Sequence, residues 1–194
     1  GFKHDMNNII QAIGGYLELK DYDGLKEYYD TGLLPEIEKI NNLSLLNPET
    51  INSPAIFGLF LGKYNYANSK NVKVNLKSFF DYSTINMNVF DFVKIFGVLL
   101  DNAIEAASLC DEKLVDIYVN IDFYNKKQVF TIRNTYIDKN IDTEKIFEKN
   151  FSTKEKKSGF GLWEVKEILK RYQNATLETT KDDLLFCQKL EIYF

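Results

Sequence analysis

Leu99-Leu100-Asp101-Asn102-Ala103-Ile104-Glu105-Ala106 decides how this chain is read. It lies in a longer run, opened by Asn88-Val89-Phe90-Asp91, in which Val93, Phe96, Gly97, Leu100, Ala103, Ile104 and Ala107 recur at helical spacing. The run predicts a helix to about Ser108, with Asn88 as N-cap and Asp91 in a first turn that favours negative charge. Asn102 and Glu105, three residues apart, are neighbours on the face opposite the apolar one. Asn is a poor helix-interior residue, so its use there asks for a reason. An amide oxygen suits a hard cation such as Mg2+ shared with phosphates. A plain surface Asn–Glu pair is the alternative.

On either side of this helix the pattern is α/β. Ser53-Pro54 opens a helix to about Asn68, and residues 72–80 alternate as a strand. Residues 114–123 and 128–135 are β-rich runs joined by Asn125-Lys126-Lys127, a hairpin signal. Residues 136–159 are polar and lysine-rich without periodicity, and such long irregular segments are usually functional. Residues 161–172 read as a helix, and residues 176–180 and 184–194 as a closing hairpin around Asp182-Asp183.

The N-terminal fifty residues differ. Phe2, Met6, Ile9, Ile10, Ile13, Tyr16 and Leu17 form one helical stripe, with His4, Asn7, Asn8, Gln11, Gly15 and Glu18 opposite. After the polar break Asp21-Tyr22-Asp23-Gly24, a second stripe of Leu25, Tyr29, Leu33, Ile37, Ile40 and Leu43 predicts a helix ending near Asn47-Pro48. A lone helical hairpin cannot bury both stripes. Pairing with a second copy gives a four-helix bundle across a homodimer; packing on the rest of the same chain is the alternative. The expected fold class is α+β, with a helical hairpin over residues 1–50 and an α/β domain over 51–194.

Composition narrows the function. The 194 residues carry a net charge of −4, and 15 Phe with 12 Tyr are far too many aromatics for a disordered chain. The acidic balance argues against non-specific nucleic-acid binding and a polybasic membrane surface. The apolar stretch at 89–100 is interrupted by Asp91 and Lys94, short of the roughly 18 residues a membrane span needs. Two cysteines, Cys110 and Cys187, make neither a disulfide framework nor a zinc site. The single histidine, His4, lies on the polar face of its helix beside Asp5, with Asn8 one turn on. An imidazole oriented by a carboxylate is a candidate nucleophile, and a solvated surface histidine is the alternative.

Two further strings could hold a ligand. Ser158-Gly159-Phe160-Gly161-Leu162 precedes a helix whose first N–H groups are available to phosphate, and Lys154, Lys156 and Lys157 add positive charge. No GKS or GKT occurs, so this is no P-loop, and no strand directly precedes it as a dinucleotide fingerprint requires. Asn134, in Ile132-Arg133-Asn134-Thr135, could meet a base edge through its amide or simply end a strand.

In order and spacing these strings resemble the sensor histidine kinases of two-component systems, most of all the peptide-pheromone receptors of quorum sensing. Residues 4–8 are similar to the phospho-acceptor box and 99–106 to the N box. Residues 147–154 are similar to the F box and start of the ATP lid, and 159–162 to the G2 box. The resemblance implies a dimerising hairpin followed by an α/β sandwich of the gyrase–Hsp90–histidine-kinase type. It implies that His4 takes a phosphoryl group from ATP, with Asp5 as base or orienter and Asn8 serving the reverse chemistry. It implies Mg2+ at Asn102, with Glu105 supporting it. Lys154 and Gly159, Phe160, Gly161 and Leu162 would hold the triphosphate, and Asn134 the adenine. The implied partner is the Asp-bearing receiver domain of a response regulator. Gly1 in place of Met suggests an excised fragment or a tag scar. Most such receptors carry an N-terminal membrane sensor, so the resemblance implies the cytoplasmic piece of a membrane receptor.

The chain departs from that pattern at two points. Asn134 stands where an adenine-reading Asp and a glycine pair are usual. Val98 stands one turn before Asn102, where related ATPases carry a catalytic Glu. Lacking that base, the site disfavours attack by water and favours transfer to His4. The rival expectations are an ATP-independent phosphotransferase of the sporulation-relay type, with a degenerate nucleotide site, and a non-enzymatic dimeric scaffold.

Overall fold

The computed structural model describes residues 2–33, 51–78, 80–148 and 161–194, with side chains in the first helix from Asn8 onward. The chain divides into two compact units, Gly1–Leu43 and Ser44–Phe194. Among the described residues no helix is long and apolar enough to cross a membrane.

The first unit contains α1 (Phe2–Glu18) and α2 (Tyr22–Glu27). Asp21 caps α2, its Oδ1 accepting from Gly24 N at 2.9 Å. The sequence predicts that the second helix continues as regular α-helix. Instead, Tyr28–Leu33 widens into a π-helical stretch. Thr31 explains the loosening: its hydroxyl donates to Glu27 O at 2.7 Å, and Gly32 follows. Tyr16 and Tyr28 pack with ring centroids 5.6 Å apart across the turn between α1 and α2. The hairpin expected over residues 1–50 is not shown, since residues 34–50, most of its second helix, lie outside the described residues.

The second unit is a five-stranded sheet with helices on one face. Its elements are α3 (Pro54–Ser69), β1 (Lys73–Ser78), α4 (Val89–Ser108), β2 (Leu114–Asp122), β3 (Lys127–Thr135), α5 (Gly161–Leu169), β4 (Ala175–Lys181) and β5 (Leu185–Tyr193). The strand order is β1-β2-β3-β5-β4, with β1 parallel to β2 and every other pair antiparallel. Alternation assigns the faces. Val115, Ile117, Val119, Phe130, Ile132, Leu190 and Ile192 point to the helices and are buried. The opposite face carries polar pairs: Asn75 with Asp116, Lys127 with Glu191 and Lys189 with Glu178.

α4 is the central helix, and it starts as expected: Asn88 Oδ1 accepts from Phe90 N and Asp91 N. Its buried surface is broader than one stripe. Phe92, Ile95 and Leu99 join Phe96, Leu100, Ala103, Ile104 and Ala107, whereas Val93 is only half-buried. The reason is position: α4 packs on β2 and β3 and is flanked by α3 and α5, so three sides are covered.

Asp91 also does more than complement the helix dipole. Its carboxylate accepts from Arg171 Nη2 at 2.8 Å and from Tyr172 Oη at 2.6 Å, fixing the chain that follows α5. Burial, then the bond to Asp91, pushes the Tyr172 phenol above its ordinary range, so it stays a donor. Asp91→Ala strands the Tyr172 hydroxyl. Urea unfolding should show a loss of about 2 kcal/mol, mostly from that bond, because Arg171 is largely exposed.

Candidate functional site

One stripe of α4 is fastened to α3. Lys63 Nζ donates to Asp101 Oδ1 at 2.7 Å, and Tyr66 Oη donates to Glu105 Oε1 at 3.0 Å. Gly97 permits the approach, since a Cβ there would stand 3.3 Å from Leu59 Cδ1. Glu105, expected beside Asn102 at a ligand, is therefore turned to α3 and engaged by Tyr66. Both carboxylates flanking Asn102 thus have donors.

A second stripe of α4 faces α5. Lys94 Nζ donates to Glu164 Oε1 at 3.0 Å, and Val98 Cγ1 lies 3.2 Å from where a Cβ on Gly161 would stand. Residue 94 meets 164 and 98 meets 161, so the two helices run antiparallel. Gly161 suits this close approach, since a Cβ there would need Val98 to give by a few tenths of an ångström. By helical register Asn102, half-buried, lies one turn beyond Val98 on α4, toward the end of the pair at which α5 begins. The first turn of α5 presents backbone N–H groups without helical acceptors at the positive end of its dipole. That register puts an amide and a helix N-terminus toward the same end of the α4–α5 pair, a combination suited to phosphates and a hard cation.

Asn134 lies on β3, buried at 3% exposure on the helix-covered face, opposite Val115 on β2 and Phe186 on β5. Its Nδ2 donates to Thr135 O at 2.8 Å, which leaves Oδ1 as the acceptor end of the amide. The strand continues into the irregular segment the sequence predicts. That segment is pinned to the β4–β5 hairpin: Tyr136 donates to Asp182 O, and Lys181 Nζ donates to Lys139 O and Ile141 O at 2.7 Å each. A short 3-10 turn, Lys145–Phe147, buries Ile146.

The expected site residues are distributed as follows. Asn102, Glu105, Asn134, Gly161 and Leu162 belong to the second unit, with Gly161 and Leu162 opening α5. His4 and Asp5 belong to α1, but their side chains lie outside what the structure describes; Asn8 is exposed. Lys154, Gly159 and Phe160 lie outside the described residues. Sequence reasoning missed Gln188 and Thr179, which face each other across β5 and β4 on the covered face. The signal was present: Phe186, Gln188, Leu190 and Ile192 alternate inward, with one polar residue among apolar ones. A cleft of about 330 Å3 lined by Arg133, Thr180, Lys181, Asp182, Leu185 and Cys187 lies on the opposite face of the sheet from Asn134.

Known proteins resemble this chain in sequence and in fold. The sensor protein CitS of Bacillus subtilis (strain 168) is 28% identical over 173 residues, which cover 86% of this chain. The chain spans 30% of the length of CitS. Among solved structures, the catalytic domain of histidine kinase ThkA superposes with a TM-score of 0.60 at 18% identity, covering 74% of this chain and 92% of that one. Histidine kinase AdeS of Acinetobacter baumannii gives 0.55 at 15% identity, covering 98% and 97%. These likenesses show the fold of the second unit: a mixed sheet with helices on one face, as in histidine kinase catalytic domains. Residues 87–193, more than half of the chain and the part that carries α4, Asn134 and α5, match the GHKL domain, and the chain belongs to that family.

Proposed function

We propose that the chain is the ATP-binding and phosphotransfer region of a sensor histidine kinase, of the peptide-pheromone type. The carrying observation is Asn102: an uncharged amide on the central helix, between two carboxylates that each accept from α3, with Val98, which packs on the start of α5, one turn before it. The fit of that amide to Mg2+ rests on its donor chemistry. Mg2+ takes one or two protein oxygens and fills its shell from water and phosphates, and its charge offsets that of the triphosphate. Asn134 Oδ1 is available to the base, and the first N–H groups of α5, with Lys154 and Gly159–Gly161, to the phosphates.

In the proposed reaction a ring nitrogen of His4 attacks the γ-phosphorus. The N–P bond forms, the bond to the β-phosphate oxygen breaks, ADP leaves, and the imidazole proton passes to Asp5. An Asp of a response regulator then takes the phosphoryl group and His4 is restored. Val98 offers no base to a water molecule, which directs transfer to the imidazole. The exposure of Ile10 and Leu17 on α1, at 59% and 50%, supports a homodimer built through residues 1–50. The similarity to a sensor protein supports a membrane-receptor origin.

The test is incubation with γ-labelled ATP and Mg2+. Acid-labile, alkali-stable label that disappears in His4→Gln is the expected result. ATP binding without label in an intact dimer would favour the scaffold, and absence of ATP binding would favour the phosphotransferase.

A further inference from the structure

Two buried glutamines in this sheet behave differently. Gln128, on β3, uses both ends of its amide within the fold: Oε1 accepts from Asn86 N at 2.9 Å and Nε2 donates to Thr84 O at 2.7 Å. Gln188, on β5, is as deeply buried at 3% exposure, yet its Nε2 has no hydrogen-bond partner among the described residues. Directly opposite on β4, Thr179 Oγ1 is also buried and unpartnered. Buried polar groups are ordinarily satisfied, and two orphans facing each other mark a place where a polar atom from outside the chain belongs.

Register says which site that place adjoins. Gln188 is paired with Ile132, and Asn134 with Phe186, so Gln188 and Asn134 are diagonal neighbours on adjacent strands and on the same covered face. Such diagonal positions are about 7–8 Å apart, within joint reach of one small planar ligand. Farther along β5 the face is wholly apolar, with Leu190 and Ile192 at 0% exposure. Asn134, Gln188 and Thr179 therefore make a short polar track across β3, β5 and β4. It offers an acceptor, Asn134 Oδ1, and a donor, Gln188 Nε2.

We propose that Gln188, set by Thr179, determines base specificity at this site. Asn134 Oδ1 accepts from the exocyclic amine of adenine, and Gln188 Nε2 donates to ring nitrogen N1 beside it, directly or through one water shared with Thr179 Oγ1. Guanine presents the reverse order, a carbonyl followed by N1–H, so acceptor meets acceptor and donor meets donor. This inference rests on the nucleotide-site reading above. It assigns to uncharged amides the discrimination that a carboxylate at position 134 would otherwise perform.

The test is competition binding to the full chain with ATP, GTP and 1-deaza-ATP, which lacks only the N1 acceptor. The wild type is expected to bind ATP about tenfold tighter than 1-deaza-ATP, the effect of one lost hydrogen bond. Gln188→Leu keeps the volume and suits the apolar face. It should bind ATP about tenfold more weakly and 1-deaza-ATP unchanged, bringing the ratio near one. Thr179→Val, nearly isosteric, should move the ratio the same way. A wild type that does not distinguish the two ligands, or a Gln188→Leu protein that still does, overturns the assignment while the nucleotide reading survives. A wild type that binds no ATP overturns both.

Discussion

Asn102→Ala is expected to lower histidine phosphorylation by about 100-fold while leaving the protein as stable as before or more so. The two effects separate because the residue has one plausible employment. The Asn102 side chain makes no hydrogen bond among the described residues, whereas the side chains of its neighbours Asp101 and Glu105 are tied to Lys63 and Tyr66. Ala is the better helix former by about 0.5 kcal/mol, so the substitution should raise the melting temperature slightly. A catalytic loss combined with a stability gain is the signature of a residue kept for its ligand. Asn102→Asp retains an oxygen but adds a third carboxylate to the stretch 101–105, so it should also fall, through repulsion of the triphosphate. Thermal melts and initial rates of labelling, measured on the same preparations, check both parts. Full activity in Asn102→Ala would remove the residue from the site.

The second large effect is on the core. Phe130 sits in β3 at the centre of an aromatic cluster, with ring centroids 4.8 Å from Phe92, 5.3 Å from Phe80 and 5.9 Å from Phe96. It is fully buried, and two of the surrounding rings, Phe92 and Phe96, are held by α4, so the space left by truncation cannot collapse readily. Phe130→Ala is expected to cost about 3–5 kcal/mol, combining lost transfer energy, the cavity, and three ring contacts. For a domain of this size that amounts to roughly 10 °C or more in Tm. The single tryptophan, Trp163 on α5, reports unfolding of this unit by fluorescence, and the urea midpoint should fall at unchanged slope. Phe123→Ala is the control. That ring is 78% exposed at the β2–β3 turn, and its removal should stay within about 0.5 kcal/mol. Comparable losses in the two variants would contradict the packing described here.

Much of the second unit was legible because its signals are local. Asn88 caps α4 because a short side-chain oxygen reaches the next two N–H groups, and that needs nothing beyond four residues of sequence. Ser53-Pro54 opens α3, and alternation along β2 and β3 names the inward residues. Asn102 stood out as an amide in a helix interior, and Asn134 as a strand-end amide. The breadth of burial on α4 was not legible. Periodicity assigns one stripe, whereas a helix covered by a sheet and two flanking helices buries nearly all round. The widening of the chain at Tyr28–Leu33 was missed because apolar spacing fitted a continuous helix while the Thr31 hydroxyl competed for a backbone carbonyl.

The sequence alone therefore determined the order of elements, the faces of the strands and the residue types available for phosphate and base, because caps, alternation and side-chain chemistry act over a few residues. Tertiary structure decided which of those side chains are employed. Glu105 was turned to Tyr66 by the packing of α3, Asp91 was engaged by Arg171 and Tyr172 some eighty residues away, and Asn102 was set toward the end of the pair at which α5 begins by the antiparallel crossing at Val98 and Gly161. The orphan amide of Gln188 came into view only through strand register, which brings β4, β5 and β3 side by side. Hydrogen bonds between groups far apart in the chain depend on how helices and strands pack, and no local rule encodes that.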